Sequence, residues 1–365
     1  MVHVRDAAAT TWDGNDPFYS AVDQPIVDAM VLAGLQQLTG QSAWSDVWEA
    51  LFTCVDPAGY APGRKIAIKV NLNNSKRDDN GCTRHNNKID ALPQPIIGLI
   101  SGLVAAGVQD GDVIVYDATG EEGGRLIPAY FRDPIHARFP NVTFIAHGGC
   151  PGAVAPSYGK DPSLTVHFHD PDGNLRDRCL ADLLYDAAFL IDIPILKAHT
   201  GNSWMPVTLA FKNHLGSVDD IVRSGEDNLH YYMFNDESWY DATYSPLVDI
   251  YANTHIRAKT ALILGDGLFG AFGVYATPPS EWDTFGGASN SLFFATDPVA
   301  IDCVMADFIV AEGVITKAHT YDTMFCAAEA GLGVCEGTRD DPGGDPWLTP
   351  YGSGYHSIRY ARVDL

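Results

Sequence analysis

Short, nearly unbroken apolar runs alternate with longer helical stretches along this chain, and glycine or proline marks almost every change. Residues 66–70, 113–116, 142–146, 188–195, 261–264 and 292–296 have the length and composition of buried strands. Between them the pattern predicts helices over 26–38, stopped by Gly40; over 43–52, behind Ser42 as a cap; and over 96–106, opened by Pro93-Gln94-Pro95 and stopped by Gly107. Two more follow: one through 311, with Asp297 as N-cap and Pro298 in the first turn, and one over 321–330, closed by Gly331. Residues 164–170 run into Pro171-Asp172-Gly173-Asn174, a hairpin signal. Strands that are apolar on both faces must be covered on both faces. The alternation therefore predicts an α/β fold: a mostly parallel sheet covered by helices on both faces, with loop and hairpin insertions. No linker divides the chain, so residues 1–365 are expected to form one large domain.

Charge narrows the partners. The 46 acids outnumber the 23 bases to give a formal net charge of −23, which repels nucleic-acid backbones and anionic membranes. No stretch approaches the roughly 20 apolar residues that insertion into a bilayer requires. The first residues hold no basic segment followed by an apolar one, which fits a cytoplasmic protein or an exported one whose leader has been removed. The seven cysteines (Cys54, Cys82, Cys150, Cys179, Cys303, Cys326 and Cys335) include no Cys-x-x-Cys pair, so mostly free thiols are expected, with one or two disulfides left open.

Metal motifs are incomplete. Cys82-Thr83-Arg84-His85 has the spacing of half a zinc site and lacks the other half. His167 and His169 fall on one strand face, and Asp170-x-Asp172-Gly173 lacks the distal acid of a calcium loop; a hairpin accounts for both. No metal is assigned and the cofactor stays open. Phosphate-binding loops, serine-hydrolase elbows and zincin helices are absent, and the glycine spacing of 265–270 lacks the helix of a dinucleotide site.

In open α/β sheets, ligands bind at the carboxyl ends of the strands. Those ends carry Asn71, Asn73 and Asn74; Asp117; Lys197 and His199; Asp266; and Asp297, the last read as a helix cap. Three of the nine lysines, Lys69, Lys197 and Lys212, sit in apolar runs. A buried ammonium without a partner costs several kcal/mol, so such lysines are paired with an acid (Asp117, Asp192 or Asp302 here), reach for solvent, or work on a ligand. On an extended chain Lys69 shares a face with Ala67 and Asn71, and Lys197 with His199. If 208–215 is helical, Thr208 and Lys212 stack one turn apart. The leading expectation is an enzyme-like protein for a small anionic or carbonyl compound. Lys197, His199 and Lys212 would be catalytic, and Lys69, Asn71, Asn73, Asn213, Asp117 and Asp266 ligand-binding. A metal- or cofactor-carrying protein that uses His199, and a non-catalytic acidic surface or assembly protein, are the alternatives.

Four segments point to a family: Ile66-Ala67-Ile68-Lys69-Val70-Asn71-Leu72-Asn73, Ile193-Pro194-Ile195-Leu196-Lys197-Ala198-His199, Val207-Thr208-Leu209-Ala210-Phe211-Lys212-Asn213-His214-Leu215-Gly216 and Asp297-Pro298-Val299-Ala300-Ile301-Asp302. In order and spacing they resemble domain-of-unknown-function family 362 over roughly residues 60–335. This leaves an N-terminal helical segment, 1–58, and a C-terminal excursion, 336–365, with a second excursion at 220–258. The resemblance implies no assigned reaction. Some relatives add ferredoxin-type iron–sulfur modules and some carry twin-arginine leaders; neither motif occurs in this sequence. The Lys-x-His of 197–199 and the lysine-bearing segment after it are also similar, at the level of fold, to the nickel-pincer lactate racemase, whose His and Lys hold the cofactor. The loop between His199 and Lys212 departs from that enzyme's glycine-rich pattern.

Overall fold

The computed structural model describes residues 1–365 apart from 16, 76–80, 84–86, 121–123, 171, 200–204, 220–228, 230–239, 274–276, 316–318 and 338–353. Its strands are β1 (Val2–Arg5), β2 (Lys65–Val70), β3 (Val113–Asp117), β4 (Thr143–Ala146), β5 (Ala153–Val154), β6 (Thr165–His169), β7 (Leu175–Cys179), β8 (Ala187–Ile193), β9 (Ile195–Ala198), β10 (Val207–Thr208), β11 (Thr260–Ala271), β12 (Ser291–Ala295) and β13 (Ala361–Asp364). Eleven of them form one sheet in the order β13-β1-β12-β11-β8-β2-β3-β4-β5, with β9 and β10 branching from β11. From β11 to β5 every pairing is parallel, and β12 runs antiparallel to both β11 and β1. The fold is α/β with a mostly parallel sheet, as the apolar strands require.

Helices cover the sheet in two groups. One face packs against α1 (Gln24–Thr39), α2 (Trp44–Val55), α3 (Pro93–Ala105) and α4 (Ala129–Arg138). The other packs against α5 (Leu183–Asp186), α6 (Ala210–Asn213), α7 (Pro246–Ala252), α8 (Thr254–Arg257), α9 (Pro298–Ala311) and α10 (Asp322–Glu329). Strand β8 shows why both are needed: Phe189, Ile191 and Ile193 enter the first core, and Leu190 the second. Helix ends follow their local chemistry. Asp23 accepts from the Ile26 N–H at 3.1 Å, and Gly40 ends α1 at φ 71°. Asp297 accepts from Val299 and Ala300, both at 2.9 Å, to start α9.

Several expectations change. Ser42 does not cap α2, which starts behind Ala43 with no side-chain cap; the Ser42 carbonyl instead accepts from Gln36 at 2.6 Å. The 1–58 segment is not wholly helical, and the 336–365 excursion returns to the core, because Val2–Arg5 pairs with β12 and Ala361–Asp364 pairs in parallel beside it. The expected strand over 188–195 stops at Pro194, which has no N–H for the ladder, and resumes as β9 along β11. Residues 265–267 are strand, not a loop: a Cβ on Gly265 would lie 2.6 Å from the Met305 sulfur, and one on Gly267 2.9 Å from the Phe293 ring. These glycines admit large side chains against β11, and need no dinucleotide. The β6–β7 hairpin forms as expected, plugged by Asp170, which accepts from the N–H groups of Asp172 and Asn174 and from Arg176. Helix α4, with Pro134 inside it, had no counterpart in the sequence pattern.

Cys82 and Cys150 form a disulfide across 68 residues, joining the loop after β2 to the turn after β4. Cys82 is therefore spent as a zinc thiolate; Arg84 and His85 of that half-site lie outside the described residues. The other five cysteines are free. Cys150→Ser is expected to lower unfolding stability by about 4 kcal/mol through the released chain entropy. Denaturant titration checks this, with an unchanged far-ultraviolet spectrum before the transition.

Candidate functional site

From β2 the chain steps to β3, β4 and β5 on one side, then returns to β8 on the other side of β2. The carboxyl edge between β2 and β8 is thus the point where winding reverses, the usual ligand crevice of such sheets. Lys69 and Asp192 stand opposite one another there, in register on the two strands. Both are completely enclosed. Lys69 donates to Asn213 Oδ1 at 3.3 Å and to the Val70 carbonyl, and its Nζ lies 3.5 Å from Asp117 Oδ2. Asn213 turns its amide to Asp192 Oδ1 at 2.6 Å, so one side chain bridges a lysine and an acid. His214 Nε2 lies 3.8 Å from Asp192 Oδ2, and its Nδ1 shares a hydrogen bond with Ser217, which also meets the Tyr116 hydroxyl; both are 3.0 Å.

Burial dominates these charges. It lowers the Lys69 ammonium against the pull of Asp117 and Asp192, and it pushes Asp192 up to about 7 against Asn213 and Lys69. His214 falls to about 3 through burial and the Lys69 charge, so its ring is neutral. Asp117 is held below the usual carboxylate range: burial raises it, but Lys69, Thr119 and the Leu72 N–H outweigh that.

A short turn delivers the next group. Asp302 of α9 accepts from the Ala210 N–H at 2.8 Å and the Phe211 N–H at 3.2 Å, which fixes the start of α6 and so places Lys212, Asn213 and His214. Strands β9 and β10 pair antiparallel with Lys197 opposite Thr208, and the His199 N–H donates to the Pro206 carbonyl at 2.7 Å. The chain is therefore extended from Lys197 to His199, as the expectation required. Thr208 belongs to β10, so the expected helical stack of Thr208 on Lys212 does not exist. Lys197, His199 and Lys212 are 1%, 6% and 7% exposed. Burial holds the Lys212 amine well below its usual range, and the Lys197 charge lowers it further.

Asp90 is pushed up to about 7 by burial, against hydrogen bonds from the Asn74 N–H (2.9 Å) and Ser75 hydroxyl (2.7 Å) and the charges of Lys197 and Arg125. Arg125 donates to Asn73 Oδ1 at 3.0 Å. Asn71 spends its side-chain oxygen on the Asn73 N–H, 3.2 Å away.

Lys69, Asp117 and Asn213 thus share one buried network, while the Lys197 charge acts on both Lys212 and Asp90, and Asn71 and Asn73 border the loop that Asp90 ties down. Asp266 pairs with Ile195 of β9, two residues before Lys197. It lies in mid-strand on the face of α1–α4, with Leu262, Leu264 and Leu268, and accepts from the backbone of Leu268 (3.1 Å) and Leu92. That position follows from β11 being longer than its apolar core suggested. Asp90, Arg125 and His214 were missed as site residues. Arg125 stands alone before Leu126-Ile127, the same kind of signal that singled out the lysines, whereas Asp90, just ahead of the apolar start of α3, reads as an ordinary acid before a helix. Among the described residues no group of three or more His, Cys, Asp or Glu is placed to hold a metal ion.

Asp192 binds a proton more tightly in the folded chain than in the unfolded one. Its contribution is therefore favourable below pH 4 and lost as pH rises towards 7. Asp192→Asn, which keeps an acceptor for Asn213, should gain stability relative to the parent over that range, by about 1.4 kcal/mol per pH unit at most. Denaturation of both proteins at pH 4.5 and pH 7.5 measures it; a difference independent of pH would contradict the assignment.

No curated protein matches the chain. The family model described as Domain of unknown function (DUF362) matches residues 66–307, a span that holds every residue of the network and both Lys197 and Lys212, and the chain belongs to that family.

Proposed function

We propose that the chain binds a small anionic compound at the carboxyl edge of β2, β8 and β9, with Lys197 and Lys212 engaging it. The supporting observation is two enclosed lysines, the charge of one bearing on the other, on elements next to the reversal point of a mostly parallel sheet, in a chain of net charge −23. Two cations brought together out of water are each destabilised by the other, and an anion between them relieves both the repulsion and the lost hydration. His199, on the extended run from Lys197, serves as the acid or base, and Asn73 and Asn213 orient the surrounding groups. A second reading rests on the lowered Lys212 amine: a neutral amine condenses with a carbonyl compound, losing water to form an imine.

Thermal-shift screening of inorganic phosphate and small mono- and dicarboxylates tests the first reading. A compound that stabilises the parent should bind Lys197→Met or Lys212→Met about 10- to 100-fold more weakly, the value of one charge-assisted hydrogen bond. Unchanged binding by both variants would place the ligand elsewhere. Because Lys212 is held below its usual range, anion binding should raise it and draw in a proton, and affinity should fall as pH rises through the titration of the free site. Calorimetry in two buffers of different ionisation enthalpy measures that uptake. For the carbonyl reading, borohydride should fix the compound to Lys212 as a secondary amine, visible as added mass that the Lys212→Met variant lacks.

A further inference from the structure

Two of the free thiols touch. Cys303 lies buried on α9, and Cys335 lies half-buried in the segment that follows α10, with 3.3 Å between their sulfurs. Neither is held there by the other. Asp297 caps α9 through Oδ1, and its Oδ2 accepts from the Val334 N–H at 2.9 Å, so one carboxylate fixes both the helix start and the residue before Cys335. The Leu332 N–H donates to the Ala327 carbonyl at 2.9 Å, turning the chain back off α10. Between these bonds Gly333 lies so close to Asp297 that a Cβ would stand 2.1 Å from Oδ1. The approach of this segment to α9 is thus set by hydrogen bonds and by a missing side chain, and the sulfurs meet as a consequence.

We propose that Cys303 and Cys335 are a dithiol modification site that closes reversibly to a disulfide and staples the segment after α10 to α9. The reactant is a low-molecular-weight disulfide. The thiolate of Cys335, the more exposed partner, attacks one of its sulfurs and expels the first small thiol, leaving a mixed disulfide on Cys335. Cys303 gives up its proton and attacks the Cys335 sulfur, expelling the second small thiol. Two protein thiols are oxidised and one small disulfide is reduced to two thiols, so atoms and electrons balance. The helix that is stapled is the one whose Asp302, adjacent to Cys303, fixes the start of α6.

The test uses the full chain, equilibrated across a series of reduced-to-oxidised glutathione ratios, quenched in acid, denatured, alkylated and mapped by mass spectrometry without reduction. The expected result is that Cys303 and Cys335 lose alkylation in step and appear as one linked peptide pair, restored to thiols at the reducing end, while Cys54, Cys179 and Cys326 stay alkylated. The oxidised parent should unfold at a temperature higher by on the order of 5 °C than the same protein with that pair reduced, and Cys335→Ser should show no such gain. The same chain unfolded in the same buffers, where its accessible thiols take up glutathione, reports that the oxidant is active. If it is active while Cys303 and Cys335 of the folded chain remain alkylated, or if Cys335 stops at the glutathione adduct or joins another cysteine, the proposal is overturned.

Discussion

An ammonium group taken out of water in the middle of a sheet constrains everything around it. Lys69 cannot reach solvent, so its charge must be met where it stands, and Asp117, the Val70 carbonyl and Asn213 meet it. Each partner then needs support of its own. Asp117 also holds Leu72 and Thr119, which sets the direction of the chain after β2 and after β3. Asn213 can bridge Lys69 and Asp192 only if α6 starts where Asp302 fixes it. The backbone after α6 comes so near that a Cβ on Gly216 would stand 2.5 Å from the Lys69 nitrogen. One buried charge therefore explains a glycine, an asparagine and the position of a four-residue helix.

The donors of Lys69 are committed inside the protein, to Asp117, the Val70 carbonyl and Asn213. Its surroundings differ from those of Lys212: two acids pull Lys69 towards its charged form, whereas the Lys197 charge pushes Lys212 further from it.

Much of the fold was legible because burial on both faces leaves few readings of an apolar run. The strands at 66–70 and 113–117 and the helices opened by Pro93 and by Asp297-Pro298 carry their own signals in sequence. What failed did so for identifiable reasons. Val2–Arg5 and Ala361–Asp364 are four-residue strands whose partners lie far away in the chain, so no local pattern reveals them. Strand β11 was cut short because Gly265 and Gly267 look like a turn until Met305 and Phe293 are seen to fill their places. The longer strand puts Asp266 in mid-strand rather than at the end of β11, in register with Ile195 of β9. The lysines were legible because an ammonium in an apolar run is conspicuous in a sequence. Asp90 was not, because an acid ahead of a helix has an ordinary explanation.

Two buried carboxylates do the remaining work in the same manner. Asp90 gathers the Asn74 N–H and the Ser75 hydroxyl and ties down the loop after β2; Asp302 gathers the Ala210 and Phe211 N–H groups and ties down the turn after β10. Both are raised by burial, so each loop is held by an acid that is costly to ionise where it sits. Asp90 recovers part of that cost from the charges of Lys197 and Arg125, whereas Asp302, raised further by the acids Asp192 and Asp297, recovers it from the Ala210 and Phe211 N–H groups.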